Sequence, residues 1–375
     1  MDGIRRRHAD SRLVGLELLR FLAALGVLVW HYQHFMFVGH DSIAWDVDRL
    51  PFRWLFSPFY AYGFAGVELF WCISGFIFTW KYAPIIDRSR LSFRRFAWLR
   101  FSRLYPLHLA TMLIVVLLQH MYFVRHGQTF VYLYNDTRHF VLNLLFAHWW
   151  GLQSGESFNG PSWSVSAEVL IYVVFFAVVR FAGTGWRIDL FSLVGFSVAA
   201  WTVKILFGTT LGFTGAGTFF YIGALTLHLY QWIGTLGSRW SRRIAWGCAA
   251  VVVVSAALVA AHVLKIAGAT LAMFPAALLL AQLAIRPEGM RARAFLRGLG
   301  NLTYASYMLH FPMQLAAMLI FGMLAVPVRS LAYTDWFMLA YLGSVFAVAI
   351  VVFRWVERPV QNWLRGLGRP RSASR

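Results

Sequence analysis

Charge is scarce in this sequence, and negative charge is scarcest. Only 13% of its 375 residues are charged, with 15 Asp and Glu against 34 Lys and Arg. An ordinary soluble domain carries about a quarter charged residues, so a water-facing surface along the whole chain is excluded. Cysteine is nearly absent. Cys72 and Cys248 sit singly inside apolar runs, which excludes a disulfide framework and a cysteine-based metal site and leaves two small buried side chains. There is no clear internal repeat, so the paired-half pattern of many transporters is missing. No small-residue cleavage site follows the basic start MDGIRRRHADSR. The first apolar run therefore reads as a retained signal anchor, not a removed signal peptide.

What is present is apolar. Hydrophobic residues make up 59% of the chain and the mean hydropathy is +0.61. Apolar runs of about 20 residues recur, each long enough to cross a bilayer as a helix. About ten spans are read, at 14–36, 61–82, 103–124, 162–182, 188–208, 216–234, 243–263, 267–285, 302–324 and 334–356. The fold class is all-α: a polytopic membrane protein, with its 17 Trp and 15 Tyr suited to interfacial belts. The net charge of +19 raises nucleic acid as a partner, but the charges sit in short gaps between spans and argue against it. Lys and Arg fill RRRHADSR, KYAPIIDRSRLSFRRFAWLRFSR, SRWSRR, RPEGMRARAFLR and the tail RGLGRPRSASR; the gaps 37–60, 125–161, 209–215, 262–268 and 325–333 hold few. This alternation fits the positive-inside rule with both termini cytoplasmic. The expectation is one membrane-embedded domain over 1–375, with cytoplasmic tails at 1–13 and 357–375 and no fused soluble domain. The 125–161 gap is long enough for part of it to enter the membrane beside the helices.

Ionisable groups inside spans are expensive and ask for a reason. In LLRFLAALGVLVWHY, Arg20 and His31 are eleven residues apart. On a helix that is about 1100°, within roughly 20° of three turns, so the two share a face about 16 Å apart along the axis. Arg20 lies nearer the cytoplasm, one turn after Glu17, and His31 lies deeper. The plainer reading is a snorkelling Arg20 paired with Glu17 and a packed, hydrogen-bonded His31. The second span, GFAGVELFWCISGFIFTW, carries Glu68; its Gly66, Ser74 and Gly75 allow close helix approach. In LSFRRFAWLRFSRLYPLH, Arg94, Arg95, Arg100 and Arg103 alternate with Phe and Trp. They read either as an amphipathic helix on anionic lipid or as an anion site, where Arg forks grip phosphate. Pro161 and Ser162 open the helix of NGPSWSVSAEVLIY, and Glu168 falls two turns in, near the outer face. In GNLTYASYMLHFPM, Tyr307 and His310 share a face. His34, His108, His120, His228 and His262 carry no comparable context.

Taken together these residues resemble the acyltransferase-3 family of integral membrane O-acyltransferases, over nearly the whole chain. The family pattern of a basic residue, ten residues and His is matched by Arg20 and His31. GVELFWCISGF resembles GV(D/E)LFFxxSGF, with Glu68 and Ser74; Arg100 and Arg103 begin a family-like RxxRLYP. WSVSAEVLIY resembles WSLSxExxFY and supplies Trp163, Ser164 and Glu168. GNLTYASYMLH resembles GxxSYxxYLxH, and VERP at 356–359 resembles the closing ExP. Two positions depart: Val169 stands where many members have a second acid, and Thr303 precedes Tyr304 at the SY position.

The resemblance implies transfer of an acyl group, acetyl first, from a coenzyme A thioester (acyl-CoA) to a hydroxyl of a carbohydrate acceptor, in a bacterial inner membrane and with no metal. A hydroxyl needs a base, and an imidazole titrating near neutrality can serve. His31 is the expected base, by direct proton abstraction or through an acyl-histidine. Glu168 is expected either to orient His31 or to hold the acceptor. Arg20, Arg100 and Arg103 are expected on the donor. Glu68, Ser74, Trp163, Tyr307 and His310 are expected to line the substrates. The lipid bilayer is the other partner. Some relatives carry a fused hydrolase-like domain; a step assigned to one requires a separate protein here. The rival reading, a sugar or glycolipid transporter, leaves the cytoplasmic RxxR and the buried His unexplained.

Overall fold

The computed structural model of the chain describes residues 13–42, 46–208, 211–285 and 289–367. The basic N-terminal segment up to residue 12, residues 43–45 and 209–210 of two gaps between expected spans, the start of the RPEG gap at 286–288 and the tail from 368 lie outside the described residues.

The described chain is almost entirely helical. In order come α1 Val14–His31, a 3₁₀ turn Tyr32–Met36, the two-residue strands β1 Phe37–Val38 and β2 Asp41–Ser42, α2 Arg53–Tyr62, α3 Gly66–Lys81, α4 Ala83–Asp87, α5 Phe93–His126 and α6 Thr137–Leu144. Then follow α7 Trp163–Ala182, α8 Trp186–Phe207, α9 Gly212–Thr235, α10 Ser238–Ala260, α11 Ile266–Ala284, α12 Met290–Met323, α13 Val328–Ala332, α14 Asp335–Val352, a π turn Phe353–Glu357 and α15 Arg358–Leu367. The strands form one antiparallel pair, Phe37 opposite Ser42.

Among the described residues, nine helical segments are long and apolar enough to cross a membrane, and the protein is a multi-pass membrane protein. The tenth expected span, 216–234, is α9. It is long enough at 24 residues but is not among the nine. Its Thr214, Thr226 and Tyr221 are buried against protein, so its face need not be as apolar as one meeting lipid. By contrast α8 turns Phe191 (78% exposed) and Leu206 (67%) outward, as lipid contact requires. Two spans begin earlier than the sequence places them. α5 and α12 are each 34 residues long, because the basic stretches before them continue the same helix. Ser92 starts α5 by accepting from the Arg95 N–H at 3.3 Å, and Gly127 ends it at a φ of 71°, the left-handed geometry glycine supplies without strain. The segment after Gly127 adds only the short α6 and loops. The chain from 357, expected as a tail, continues as α15 and is tied to α5 by a 2.8 Å hydrogen bond from Trp98 Nε1 to the Leu364 carbonyl.

The chain divides into two compact units. The first holds Met1–Val27, Tyr62–Arg90 and Leu170–Thr303; the second holds Leu28–Ala61, Leu91–Val169 and Tyr304–Arg375. In the first unit, helix packing turns on small residues. A Cβ on Gly75 would stand 1.7 Å from the Phe220 carbonyl oxygen, and one on Gly223 would stand 1.8 Å from that of Cys72. The backbones of α3 and α9 therefore cross in contact, which only glycine at both positions permits. Gly66 sits likewise against the Ala23 carbonyl of α1 at 2.6 Å, and Gly15 against Ala281 of α11 at 2.2 Å. Beside the crossing, Phe78 stacks on Tyr172 at 4.2 Å with Phe175 and Phe220 at its edges. In the second unit, Met112, Val115, Phe130, Tyr132, Phe158, Phe311 and Leu315 form a buried core between α5, α12 and the loops after α5.

The crossing makes a sharp expectation. Gly75→Ala forces backbone apart from backbone and should cost about 1–3 kcal/mol or more, read as a lowered thermal unfolding midpoint of the purified protein. Gly195→Ala, on α8 in open space, is the control and should not lower it. Equal midpoints for wild type and Gly75→Ala would show that the crossing is not tight.

Candidate active site

Helix α12 organises the second unit's polar interior. Tyr304, Tyr307, His310 and Gln314 follow one another at i, i+3, i+6 and i+10, a spacing that lines one helical stripe. Each makes contacts that a membrane interior demands, because no bulk water is there to serve as partner. The Tyr304 hydroxyl donates to the Leu104 carbonyl at 2.5 Å and lies in electrostatic reach of Glu357, Arg103 and Glu168. The Tyr307 hydroxyl donates to the Pro161 carbonyl at 2.7 Å and pairs with Ser164 Oγ at 2.6 Å. Glu156 and Glu168 are in its electrostatic reach. Gln314 Nε2 donates to the His31 carbonyl at 3.1 Å, tying α12 to the junction where α1 passes into the 3₁₀ turn.

Three histidines meet here. The His31 ring lies 4.8 Å from that of His310 and 5.0 Å from that of His34, with Trp30 edge-on at 4.7 Å. All three histidines are buried, His310 completely. His310 Nδ1 is 2.6 Å from the Tyr307 carbonyl oxygen. A carbonyl only accepts, so Nδ1 carries a proton, and in the uncharged form of the ring Nε2 is bare. That Nε2 is buried and makes no hydrogen bond among the described residues. Such a nitrogen can take a proton from a hydroxyl or hold one.

The expected site residues divide between the units. In the second, His31 and His310 are brought together, with Tyr307 bonded to Ser164 next to Trp163 on α7. Trp163 packs against Trp149 at 5.1 Å. Glu168 is placed beside Tyr304 and Tyr307. Arg100 and Arg103 are half-buried near the start of α5, while Arg94 is exposed. In the first unit, Arg20 Nη1 pairs with Glu17 at 3.1 Å and Nη2 donates to Thr303 Oγ1 at 3.2 Å. Glu68 shares a side-chain hydrogen bond with Thr270, and Ser74 is partly buried on α3. Helix α1 is unbroken from Val14 to His31, so Arg20 and His31 stand on one helix as their spacing implies. The Arg20–Glu17 pair of the plainer reading is present as well.

Some residues were passed over in the sequence. His34 had no visible context, because its partners are Phe37, Tyr132 and Phe311, all beyond its own helix; only its three-residue spacing from His31 hinted at it. His108 and His148 stack in parallel, 5.4 Å apart and 3° from coplanar. His108 Nε2 donates to the Asn143 carbonyl at 3.0 Å, and His148 Nε2 pairs with Ser162 Oγ at 2.9 Å. In the first unit His228 Nε2 meets Asp189 Oδ2 at 2.8 Å across α8 and α9.

The second unit thus buries a cluster of imidazoles together with the hydroxyls at the start of α7. The model of the acyltransferase-3 family, described as an acyltransferase domain, matches residues 13–355, and the chain belongs to that family of membrane acyltransferases. A similar protein is the acyltransferase MdmB of Streptomyces mycarofaciens, 28% identical over 173 residues, which cover 44% of this chain and 38% of that relative. The chain thus spans less than half of the relative's length in this match. No solved structure matches.

His148 lies outside the nine spans, and burial, with His108 as a second cause, holds its imidazole well below the ordinary histidine range. The unfolded chain therefore binds a proton there that the folded one does not. The folded state's stability is complete above the ordinary histidine range and falls as pH drops below it. Between about pH 7 and pH 5 the unfolding midpoint should decline, and His148→Gln should flatten that decline. An identical slope in the variant would remove His148 from the account.

Proposed function

We propose that the protein transfers an acyl group, acetyl first, from a cytoplasmic acyl-CoA to a hydroxyl of a carbohydrate acceptor, with His31 as the general base. The observation that carries this reading is the buried contact of His31 with His310 and His34, in a chain of the acyltransferase family. In the transfer the acceptor O–H gives its proton to the imidazole. Its oxygen bonds to the thioester carbonyl carbon, the carbon–sulfur bond breaks, and the coenzyme A thiolate takes up a proton. An acyl-histidine on His31 ends at the same products, with the acyl group moved twice.

The reading places both termini in the cytoplasm and the helices, α9 included as a tenth span, in a bacterial inner membrane. It rests on the alternation of Lys and Arg between gaps. Arg100 and Arg103 then stand at the cytoplasmic mouth, where guanidinium forks suit the phosphates of coenzyme A. Arg20, on the cytoplasmic side of His31 along α1, serves the donor's thioester end. Glu168, beside Tyr304 and Tyr307, holds the acceptor or the imidazole array. Glu68, Ser74, Trp163, Tyr307 and His310 complete the substrate surround.

Purified protein given labelled acetyl-CoA and candidate glycans should yield acylated glycan by mass spectrometry. His31→Ala should lose transfer by at least about 100-fold, the lower range for a general base, while keeping its unfolding midpoint. Arg100→Ala and Arg103→Ala should raise KM for acetyl-CoA about tenfold or more, the cost of one charge-assisted hydrogen bond, and leave the acceptor's KM near wild type. Full activity in His31→Ala sinks the base assignment, and unchanged donor KM sinks the phosphate site.

A further inference from the structure

The end of α5 away from Arg100 and Arg103 carries a cavity that acyl transfer by the histidines leaves unused. Its volume is about 470 Å³, within the range of small-ligand sites. Helix α5 builds one wall from Val116, Gln119, His120 and Phe123, at i, i+3, i+4 and i+7, which is one helical face. The chain after Gly127 builds the other, with Thr129, Tyr134, Asp136 and Phe158 among its lining residues. All of these residues belong to the second unit.

The walls are fastened by their amides. Gln119 Nε2 donates to the Phe130 carbonyl at 2.8 Å, and Gln119 Oε1 accepts from the Phe130 N–H at 2.9 Å. Asn135 accepts from the Phe158 N–H and donates to the Tyr132 carbonyl, both at 2.7 Å. Those groups are committed to the frame. Other polar groups of the lining are open to a ligand. Thr129 Oγ1 is buried and makes no hydrogen bond among the described residues. The Asp136 side chain is 54% exposed although Oδ1 caps α6 through the His139 N–H at 2.9 Å and Oδ2 pairs with His139 Nδ1 at 2.7 Å; each oxygen keeps a further lone pair for a ligand. The backbone bond, and after it the His139 ring, hold its carboxyl below the usual carboxylate range, so it is an acceptor-only anion at neutral pH. The Tyr134 ring is fixed by stacking on His139 at 5.2 Å, and Phe123 and Phe158 add apolar surface.

The position matters as much as the chemistry. From Arg103 to Gln119 is 16 residues, about 24 Å along the helix. The cavity is therefore at the far end of α5 from Arg100 and Arg103. Phe158 belongs to the same core as Tyr132 and Phe311, and both of these touch the His34 ring, at 5.8 and 6.1 Å. One aromatic layer thus stands between the cavity and the histidines.

We propose that this cavity binds a sugar ring of the acceptor, one neighbouring the ring that is acylated. A pyranose offers C–H faces to Tyr134, Phe123 and Phe158, and hydroxyl donors to the Asp136 carboxylate and Thr129. A phosphate is opposed by Asp136, and an alkyl chain by the polar lining. The acceptor's part in this rests on the acyl-transfer reading; the binding of a sugar does not.

Two measurements keep these apart. Saturation-transfer NMR on the purified protein, with a panel of methyl glycosides of glucose, galactose, mannose and rhamnose, tests the cavity directly. At least one glycoside should bind the wild type. Thr129→Trp, which fills the cavity, and Phe123→Ala, which strips one wall, should each weaken that binding about tenfold, with acetyl-CoA affinity unchanged. In the transfer assay the same variants should raise the KM of an oligosaccharide acceptor without raising that for acetyl-CoA. Binding of none of the glycosides, or equal binding by both folded variants, overturns the proposal. Glycoside binding that the variants weaken, with no acyl transfer by the wild type, upholds the cavity and overturns the enzyme reading instead.

Discussion

A polar side chain inside a membrane bundle must find its partner in the protein, and the second unit is arranged around that requirement. Tyr304, Tyr307 and Gln314 each spend a side-chain donor on a backbone carbonyl: Leu104, Pro161 and His31. His310 spends Nδ1 on Tyr307, and its own carbonyl accepts from the Tyr341 hydroxyl at 2.9 Å. Once these partners are assigned, His310 Nε2 is left with no hydrogen bond among the described residues, in a ring 4.8 Å from that of His31. Removing any member of the stripe removes a buried hydrogen bond, at a cost of about 0.5–1.5 kcal/mol, so the polar interior and the fold share their supports.

The first unit meets a different constraint. Between apolar helices in lipid the hydrophobic effect gives little, and close van der Waals approach matters more. The Gly75–Phe220 and Gly223–Cys72 contacts bring two backbones together, and the aromatic stack at Phe78 fills the space beside them. The SGF of the second-span motif is thus explained by packing: its glycine is the crossing point. Ser74, next to it, is partly buried on the same helix.

Most of the helices were legible in the sequence, because a run of about 20 apolar residues has few alternatives in a bilayer. Starts were less legible. Helices α5 and α12 extend through basic stretches that hydropathy alone reads as gaps, and α15 follows a π turn. α9 was visible as a helix but not as one with a protein-facing surface. Within the site, partners one or two turns apart on a helix could be read: Arg20 with Glu17, and Tyr307 with His310. Partners joined by tertiary contact could not. His34, Gln314 and the His108–His148 stack depend on chain segments tens to hundreds of residues away, and a single sequence has no signal for such pairing.

Helix α5 joins these themes. One helix begins with arginines set among Phe and Trp, passes Leu104 and His108 through the polar interior, and ends at the cavity of Gln119 and Phe123. On the proposed reading, its length is what lets two reactants held on opposite sides of the bilayer meet. Coenzyme A, with its phosphates, is too polar to cross the bilayer, and so is a glycan. A thioester extended inward from the arginine end and a hydroxyl presented from the cavity end can meet only in the interior, where water is scarce. Excluding water there protects the thioester from hydrolysis and leaves the imidazole no competing proton donor. A histidine cluster suits such a place, since an imidazole can supply a base without a permanent buried charge.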